Sequence, residues 1–304
     1  MTPQARPSPA DPSAPTAAQA PRPEATPGFD ARRFKAMERA GFNRIAARYA
    51  DGAHLRAGLA AALLDAADLA PGQRVLDLAS GPGLLAGAAA RRVAPGGRVL
   101  ATDIAEAMLA EGARRCAGET APPAFAAADA EHLCLPDACM ERVLAGLALF
   151  IFPHPRHALT EIHRVLVPGG LVALSVWGPR PSVPLIHRAQ DCIARLLPPP
   201  RVPRPSVFRF GEPAALEDAL AAAGFHDIDI RPCTFTCCFD DADAYWQAFL
   251  DLAGGVAEAL GRLPETTRQA LRAAITDDLE PFRDDSGRYR LPARTLIATA
   301  RRPR

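Results

Sequence analysis

The chain has 304 residues, of which 49% are hydrophobic and 23% are charged, and its formal net charge is +1. These proportions are close to the average of globular proteins and favour a folded chain with a sizeable core. The near-neutral charge provides no large positive field for a polyanion, so we expect no nucleic-acid partner.

Cysteine usage and hydropathy bear on the compartment. The seven cysteines are an odd number, and the start of the chain lacks a signal-peptide pattern. Both features favour free thiols in a reducing compartment, and we expect a cytoplasmic protein. No stretch approaches the ~20 uninterrupted apolar residues that span a bilayer, so no membrane span is expected. Association with a membrane surface stays open.

The first segment, residues 1–28, is rich in Pro, Ala, Ser and Thr and has almost no large apolar side chain. Such a segment cannot bury enough surface to offset the entropy of ordering it. We therefore predict a disordered tail over 1–28 and one domain over 29–304. A mitochondrial presequence is the alternative, but its amphipathic helix would be broken by the many prolines.

The first half of the domain predicts alternating helices and strands. Helical spacing begins at Phe34 and recurs over 55–70, so two helices precede a short buried strand, Val75–Leu78. Further strands are predicted at 98–103, 124–129, 141–149 and 171–178, with helices starting near 84, 105 and 154. This rhythm predicts a parallel, doubly wound α/β sheet with right-handed crossovers.

The second half is less regular. It predicts a helix closed by Gly224, one long strand or a bent pair over 226–239, and a last strand over 294–302. Two helical inserts, about 182–204 and 241–282, are longer than a short connection requires. We predict that these inserts form a lid over a ligand pocket, because long connections commonly carry binding functions.

The segment VLDLASGPG leads from the first predicted strand into Gly81 and Gly83. Ligands of open parallel sheets bind beyond the carboxyl ends of the strands, where glycines allow close backbone approach and a helix N-terminus attracts anions. Asp77 adds the opposite charge, and this pairing suits a ligand with both an ammonium and a carboxylate group. Asp103 and Asp129 end the next two strands, where they can accept hydrogen bonds from ribose hydroxyls and an exocyclic amine. Amino acid, ribose and adenine together indicate S-adenosylmethionine.

Four segments, VLDLASGPG, VLATDIAEAML, AAADAEHLCLPD and RVLAGLALFIFPHPRHALTEIHRVLVPGGLVALSVWG, resemble the successive motifs of class I S-adenosylmethionine-dependent methyltransferases. The resemblance is to the small-molecule group that includes the ubiquinone/menaquinone-biosynthesis type, and it covers about 34–301. It implies a Rossmann-like, seven-stranded sheet, mostly parallel with an antiparallel last strand. The implied cofactor-binding residues are Asp77, Ala79, Gly81 and Gly83 around the methionine end, Asp103 on the ribose, Ile104 against adenine, Met108, Asp129 on the adenine amine, Ala130 through its backbone, and Gly146.

Two other functions stay open. The sequence GPGLLA also fits the G-x-G-x-x-A turn of a nicotinamide-dependent oxidoreductase, although Asp77 and the ADAEHL segment have no purpose in such a site. The same fold without methyl transfer, as a cofactor-binding cyclase or scaffold, is the second alternative. The leading hypothesis is methyl transfer to O, N or C of a small, hydrophobic or aromatic metabolite.

A catalytic base is not required by every methyl transfer, because positioning and exclusion of water provide much of the acceleration. An oxygen or carbon acceptor must still lose a proton. His154 and His157, just past the fourth predicted strand, are the candidate bases, and a solvated turn before an ordinary helix is the alternative.

Single aromatic residues are candidates for the acceptor pocket, with core burial as the alternative for each. They are Tyr49, Phe150, Phe152, Trp177 and Trp246. Cys233, Cys237 and Cys238 alternate with residues typical of a strand, so we predict buried thiols and no metal site. The acceptor, the methylated element and the oligomeric state are not predicted.

Overall fold

The computed structural model describes residues 29–200 and 202–304. The predicted tail over 1–28 therefore lies outside the described residues. The first described helix, α1 (Ala31–Asp51), starts where the Asp30 side chain accepts a hydrogen bond from the backbone N–H of Arg33 at 3.0 Å. This bond satisfies one of the free N–H groups at the helix start. A 3-10 turn (Gly52–Arg56) and α2 (Ala57–Ala66) follow, so two α-helices precede the first strand, as predicted.

The remaining elements alternate until the sheet is nearly complete and then become mainly helical. The strands are β1 (Arg74–Leu78), β2 (Arg98–Asp103), β3 (Ala124–Ala127), β4 (Met140–Gly146), β5 (Leu166–Trp177), β6 (His226–Phe239) and β7 (Tyr289–Arg301). The further helices are α3 (Leu84–Val93), α4 (Glu106–Cys116), α5 (Pro155–Val165), α6 (Pro184–Leu196), α7 (Pro213–Ala222), α8 (Ala242–Leu252), α9 (Gly254–Gly261) and α10 (Glu265–Leu279).

The seven strands form one sheet in the order β3-β2-β1-β4-β5-β7-β6. Strand β7 runs antiparallel to both of its neighbours, and the other pairings are parallel. The predicted sheet, mostly parallel with an antiparallel last strand, is confirmed. The chain leaves β1 toward β2 on one side and later returns to β4 on the other, which makes the carboxyl end of β1 a topological switch point.

Three strand boundaries differ from the predicted ones by three residues or more. Strand β4 ends at Gly146 instead of residue 149, because Leu147 adopts a left-handed backbone (φ 51°) and a 3-10 turn, Leu149–Ile151, follows. Strand β5 begins at Leu166, before the predicted turn, and β7 begins at Tyr289 because β6 pairs with it along its whole length. The early end of β4 matters for the site, since residues 147–149 leave the strand and lead into the 3-10 turn.

The predicted inserts are helices α6 and α8–α10, which pack on one another beside the β6–β7 end of the sheet. The buried Tyr245 of α8 joins them, because its hydroxyl donates to the carbonyl of Leu185 at 3.1 Å and accepts from the N–H of Ala189 at 3.2 Å. These bonds fix α8 to the start of α6. The inserts are therefore a packed layer and not loose connections.

All seven cysteines are free thiols. Cys233, Cys237 and Cys238 lie on β6, as the alternation indicated, and Cys237 is buried while the other two are partly exposed. Burial raises the pKa of Cys237 to about 11. Within residues 29–200 and 202–304, the helices are all too short or too polar to cross a bilayer.

Candidate functional site

The turn after β1 brings backbone close to the switch point. Ala79, Gly81 and Gly83 all have left-handed φ angles, of 52°, 54° and 75°. A Cβ atom on Gly83 would lie 3.0 Å from the Phe125 ring, so that position requires glycine for both its space and its conformation. The turn leads directly into α3, whose N-terminal N–H groups lie at the end of the sheet.

Asp77 is the last charged residue of β1, and its side chain is completely buried. Neither carboxylate oxygen has a hydrogen-bond partner. Burial raises the pKa of Asp77 to about 8. The backbone N–H of Ala86 lowers the pKa, although it is not placed to form a hydrogen bond, and the charge of Asp103 raises it further. A buried carboxylate without a partner is costly, so the ionised form of Asp77 requires a cation at this position.

Asp103, at the end of β2, holds the turn in place. Its two carboxylate oxygens accept hydrogen bonds from the N–H groups of Gly81, at 2.9 Å, and Ala105, at 2.8 Å. Burial raises the pKa of Asp103, and these N–H donors partly oppose the rise. The side chain also lines a cavity, so it can accept further bonds from a ligand while it orders the turn.

The end of β3 is covered by a lysine from α1, Lys35, which the sequence reasoning missed. Its ammonium nitrogen lies 2.7 Å from an oxygen of Asp129 and 2.7 Å from one of Glu131. Burial alone would lower the pKa of Lys35, but the bonds to the two carboxylates raise it. The other Glu131 oxygen accepts from the backbone N–H of His154 at 2.7 Å. Lys35 therefore ties α1 to the carboxyl end of the sheet.

A cavity of about 120 Å³ runs along the ends of β1, β2 and β3. It contains most of the predicted cofactor-binding residues: Ala79, Gly81, Asp103, Ile104, Met108, Asp129, Ala130 and Gly146. Helix α1 supplies the opposite wall through Phe34, Lys35, Glu38, Phe42 and Tyr49. Asp77 lines an adjoining cavity of about 60 Å³, and the predicted residue Gly83 lines neither.

A much larger cavity, of about 560 Å³, lies between α1, α6, the segment after α6, the α8–α9 region and the 3-10 turn that follows β4. We call it the apolar cavity, because its walls are mainly aromatic, aliphatic and proline side chains. The predicted pocket residues Tyr49, Phe150 and Trp177 line it, as do Ile186, Ile193, Phe208 and Phe249. The two inserts supply about half of its walls.

Two predicted pocket residues lie elsewhere. Phe152 lines the cavity along the strand ends instead of the apolar cavity. Trp246 lines neither, because its buried ring stacks on Phe249 with centroids 5.8 Å apart, and Phe249 provides the cavity surface on α8. Trp246 therefore lies in the core, which was the alternative to a place in the pocket.

Four charged residues face the apolar cavity: Glu38, Arg56, Arg180 and Arg204. Arg204 forms an ion pair with Glu38, and Arg180 pairs with Asp191 at 2.6 Å. Burial lowers the pKa of Arg204 to about 10. The ion pair joins the segment after α6 to α1 across the cavity.

Arg56, in the 3-10 turn before α2, is different because it has no carboxylate partner among the described residues. It is only 8% exposed, its guanidinium carbon lies 4.2 Å from the centroid of the Tyr49 ring, and one Nη donates to the Tyr49 carbonyl at 3.3 Å. The other Nη is buried and has no hydrogen-bond partner. The sequence offered one signal, a single arginine at the start of an apolar helix.

The predicted bases, His154 and His157, are exposed at the start of α5, with ring centroids 5.2 Å apart. Neither imidazole lines the cavities described above. The 3-10 turn after β4 presents Phe150 and Ile151 to the apolar cavity, and the chain then leads to the surface. The role of His154 and His157 as catalytic bases therefore stays a prediction. Within the described part of the chain, no cluster of three or more potential ligand side chains is arranged to hold a metal ion.

Comparison with known proteins gives consistent results. The family model for a methyltransferase domain matches residues 75–170. A demethylmenaquinone methyltransferase of Clavibacter sepedonicus is 33% identical over 175 residues, which are 54% of this chain and 69% of that protein. The ubiquinone/menaquinone biosynthesis C-methyltransferase UbiE of Cupriavidus pinatubonensis is 39% identical over 117 residues, 37% of this chain and 48% of that protein. The chain thus spans about half the length of several relatives that it matches.

The fold is also found in solved structures. A protein of Bacillus halodurans C-125 superimposes with a TM-score of 0.57 at 20% identity, covering 81% of this chain and 99% of that chain. The matched family region, 75–170, contains the strand ends around Asp77, Asp103 and Asp129. It excludes α1, α6, the segment after α6 and the α8–α9 region, which together build most of the apolar cavity.

Proposed function

Because the chain belongs to the class I S-adenosylmethionine-dependent methyltransferase family, we propose that it transfers a methyl group from S-adenosylmethionine to a small molecule held in the apolar cavity. The observation that carries the proposal is the arrangement of two adjoining cavities. One follows the strand ends and is lined by carboxylates and open backbone, and the other is large and apolar.

The residues at the strand ends fit the parts of the cofactor. Asp77 is a buried carboxylate without a partner, which suits the ammonium group of the methionine moiety. We assign Asp103 to the ribose hydroxyls, Ile104 to one face of adenine, and Asp129 with the backbone of Ala130 to the adenine edge. The left-handed turn through Gly81 keeps side chains out of the space between them. S-Adenosylmethionine, when bound, supplies an electrophilic methyl group on a sulfonium.

We propose a hydrophobic or aromatic acceptor. A cavity of about 560 Å³ is in the size range of small-molecule sites, and Phe150, Trp177 and Phe208 are among its walls. The names of the relatives suggest a quinone-related ring methylated at carbon as the first acceptor to test. Since the cavity walls lie largely outside the matched family region, this choice rests on those names alone.

The chain's own contribution to the reaction is mainly positioning. No histidine lines the cavities described above, Glu38 is paired with Arg204, and Asp129 is paired with Lys35. We infer that the walls exclude water and hold an acceptor that is already nucleophilic in line with the methyl group. A hydroquinone that has lost one phenolic proton to solvent satisfies this requirement, because its ring carbon is then electron-rich. That carbon takes the methyl group from the sulfonium, and it then loses its ring proton to water, which restores the aromatic ring.

The test uses S-adenosylmethionine with a labelled methyl group, the full chain and an extract of small metabolites, with demethylated quinols as defined acceptors. We expect label in an apolar small molecule and an equal amount of S-adenosylhomocysteine. Label only in protein or nucleic acid would contradict the proposed acceptor class. Calorimetry should show binding of S-adenosylhomocysteine and none of NADH. Binding without turnover of any acceptor would favour a cyclase or scaffold of the same fold.

A further inference from the structure

One carboxylate lies on the boundary between the cavity along the strand ends and the apolar cavity. Glu38, in the middle of α1, lines both, and among the described residues it is the only acidic side chain that lines the apolar cavity. Phe34 and Phe42, about one helical turn before and after it, line the same two cavities. Glu38 thus interrupts an apolar stripe at the place where, under the proposed function, the methyl group passes from cofactor to acceptor.

Only one oxygen of this carboxylate is used within the described protein. Glu38 is 6% exposed, and its Oε1 accepts a hydrogen bond from Nη2 of Arg204, in the segment after α6. The second oxygen, Oε2, receives no hydrogen bond from a described residue and keeps some accessible surface, so it is open to the cavities that Glu38 lines. The ion pair therefore presents a free acceptor beside the remaining N–H donors of Arg204, which also lines the apolar cavity.

The burial of this pair is more than a structural tie requires. Arg39 joins α1 to Glu106 of α4 through an ion pair whose side chains are about half exposed, and such a pair costs little desolvation. The desolvation of a buried pair is expensive, and it is offset only by good geometry and by hydrogen bonds to the remaining lone pairs. A ligand that donates to Oε2 of Glu38 supplies such a bond.

We propose that Glu38, held by Arg204, is the binding residue that recognises a hydroxyl group on the ring of the acceptor. The hydroxyl donates to Oε2 of Glu38 and accepts from a free N–H of Arg204, so the two side chains match both of its hydrogen-bonding capacities. This inference deepens the proposed function and rests on it for the place of the acceptor. A hydroquinone fits, since it keeps one hydroxyl after the other has lost its proton.

The same pair excludes other ring substituents. A methoxy or carbonyl group in this place has no proton to donate, and it would cover Oε2 of Glu38 without giving it a hydrogen bond. A carboxylate would be repelled by Glu38, and Arg204 does not offset this because its charge is already balanced by the pair. The site therefore selects an uncharged hydroxyl over its ether, its oxidised carbonyl form and an anion.

The experiment measures recognition of the hydroxyl by binding and does not depend on turnover. Calorimetry on the full chain, with S-adenosylhomocysteine in excess to fill the cavity along the strand ends, gives the Kd of 1-naphthol and of its ether, 1-methoxynaphthalene. The variants are Glu38→Gln and the double variant Glu38→Leu with Arg204→Leu, which removes the pair without leaving one buried charge alone. The matched control is Arg39→Leu with Glu106→Leu, which removes an ion pair of α1 outside the three cavities. Circular dichroism checks that every variant folds.

We expect the wild type to bind 1-naphthol about 10-fold or more tightly than 1-methoxynaphthalene, as for one charge-assisted hydrogen bond. In the double variant this preference should fall to about twofold or less, because no charged acceptor then distinguishes the hydroxyl from the ether. Glu38→Gln keeps an acceptor oxygen without the charge and should retain part of the preference. The control should retain all of it.

Two outcomes would overturn the inference and leave the proposed function standing. Equal binding of the two probes by the wild type would mean that Glu38 does not meet the ring hydroxyl. A preference that persists in the double variant would assign it to another residue, and Glu38 and Arg204 would then only tie α1 to the segment after α6. If the wild type binds neither probe, the inference and the proposed aromatic acceptor are both wrong, while the Kd of S-adenosylhomocysteine tests the cofactor separately.

Discussion

The strand ends and the apolar cavity above them are built in different ways. The strand-end residues Asp77, Asp103 and Asp129 follow one another along the chain, and backbone turns fix their positions. The apolar cavity is assembled from distant segments, from α1 to α9, and side-chain packing fixes its shape. Under the proposed function, the sheet therefore determines the cofactor site, and the helices added to it determine which acceptor binds.

The largest effect should come from a change at the strand ends. Asp103→Asn replaces one acceptor oxygen with an amide group and removes the charge, while Asp103 holds the turn and is assigned to two ribose hydroxyls. At ~1.5–3 kcal/mol per charge-assisted bond, we expect S-adenosylhomocysteine to bind roughly 100-fold more weakly or worse. Calorimetry measures it. The control is Asp65→Asn, at a surface residue that pairs with Arg92. An unchanged Kd for Asp103→Asn would contradict the assignment of the cofactor to the strand ends.

A change in the apolar cavity should affect the acceptor alone. Phe150→Ala removes a ring from the wall, and ~1.5–3 kcal/mol of lost burial predicts a fall in kcat/KM for an apolar acceptor of about 10- to 100-fold. The Kd of S-adenosylhomocysteine should be unchanged. Phe225→Ala, which removes a buried ring outside these cavities, is the control for lost stability, since both variants should have a lower Tm. Equal losses for both ligands would show that the regions are not separable.

The pH dependence sharpens the assignment of Asp77. Its pKa of about 8 means that the free protein holds this carboxyl largely protonated at neutral pH. An ammonium partner requires the ionised form, so binding releases a proton, and affinity should rise as the pH increases toward 8. The slope is at most about tenfold per pH unit for one proton. Calorimetry between pH 6 and about 8 should show this slope in the wild type and a flat, weaker profile in Asp77→Asn.

The smallest effect is expected for the surface histidines. Because His154 and His157 are exposed and line none of the three cavities described above, His154→Ala and His157→Ala should keep turnover within about twofold. The measurement is kcat as a function of pH, with the double variant as a further check. A loss of ~10²-fold or more at an unchanged S-adenosylhomocysteine Kd would restore them as bases.

The sequence predicted the parts of the site that depend on local order. Asp77, Gly81 and Asp103 follow from the end of a strand and the turn after it, and these positions hold in any parallel sheet of this topology. Lys35 left no comparable signal, because its partner Asp129 is 94 residues away and only the packing of α1 brings them together. Arg56 is similar, since only the structure reveals that it has no carboxylate partner among the described residues and that one Nη is buried without a hydrogen bond.

The aromatic residues show the same limit. Phe150 and Trp246 were equivalent candidates in the sequence, yet Phe150 lines the apolar cavity and Trp246 packs into the core. An aromatic side chain stabilises either environment, so its type does not tell where it lies. Phe150 lines the cavity because β4 ends at Gly146 and the chain turns there. Trp246 is buried because of the face of α8 on which it lies.

Helix α1 has a consequence for anyone who wishes to redesign acceptor choice. Phe34, Glu38, Phe42 and Tyr49 each border both the strand-end cavity and the apolar cavity. Libraries confined to Ile193, Phe208 or Val256 alter one compartment, while any library that includes α1 selects on two properties at once. Under the proposed function, substitutions at these four residues therefore change cofactor affinity and acceptor range together, and engineering should begin on the opposite wall.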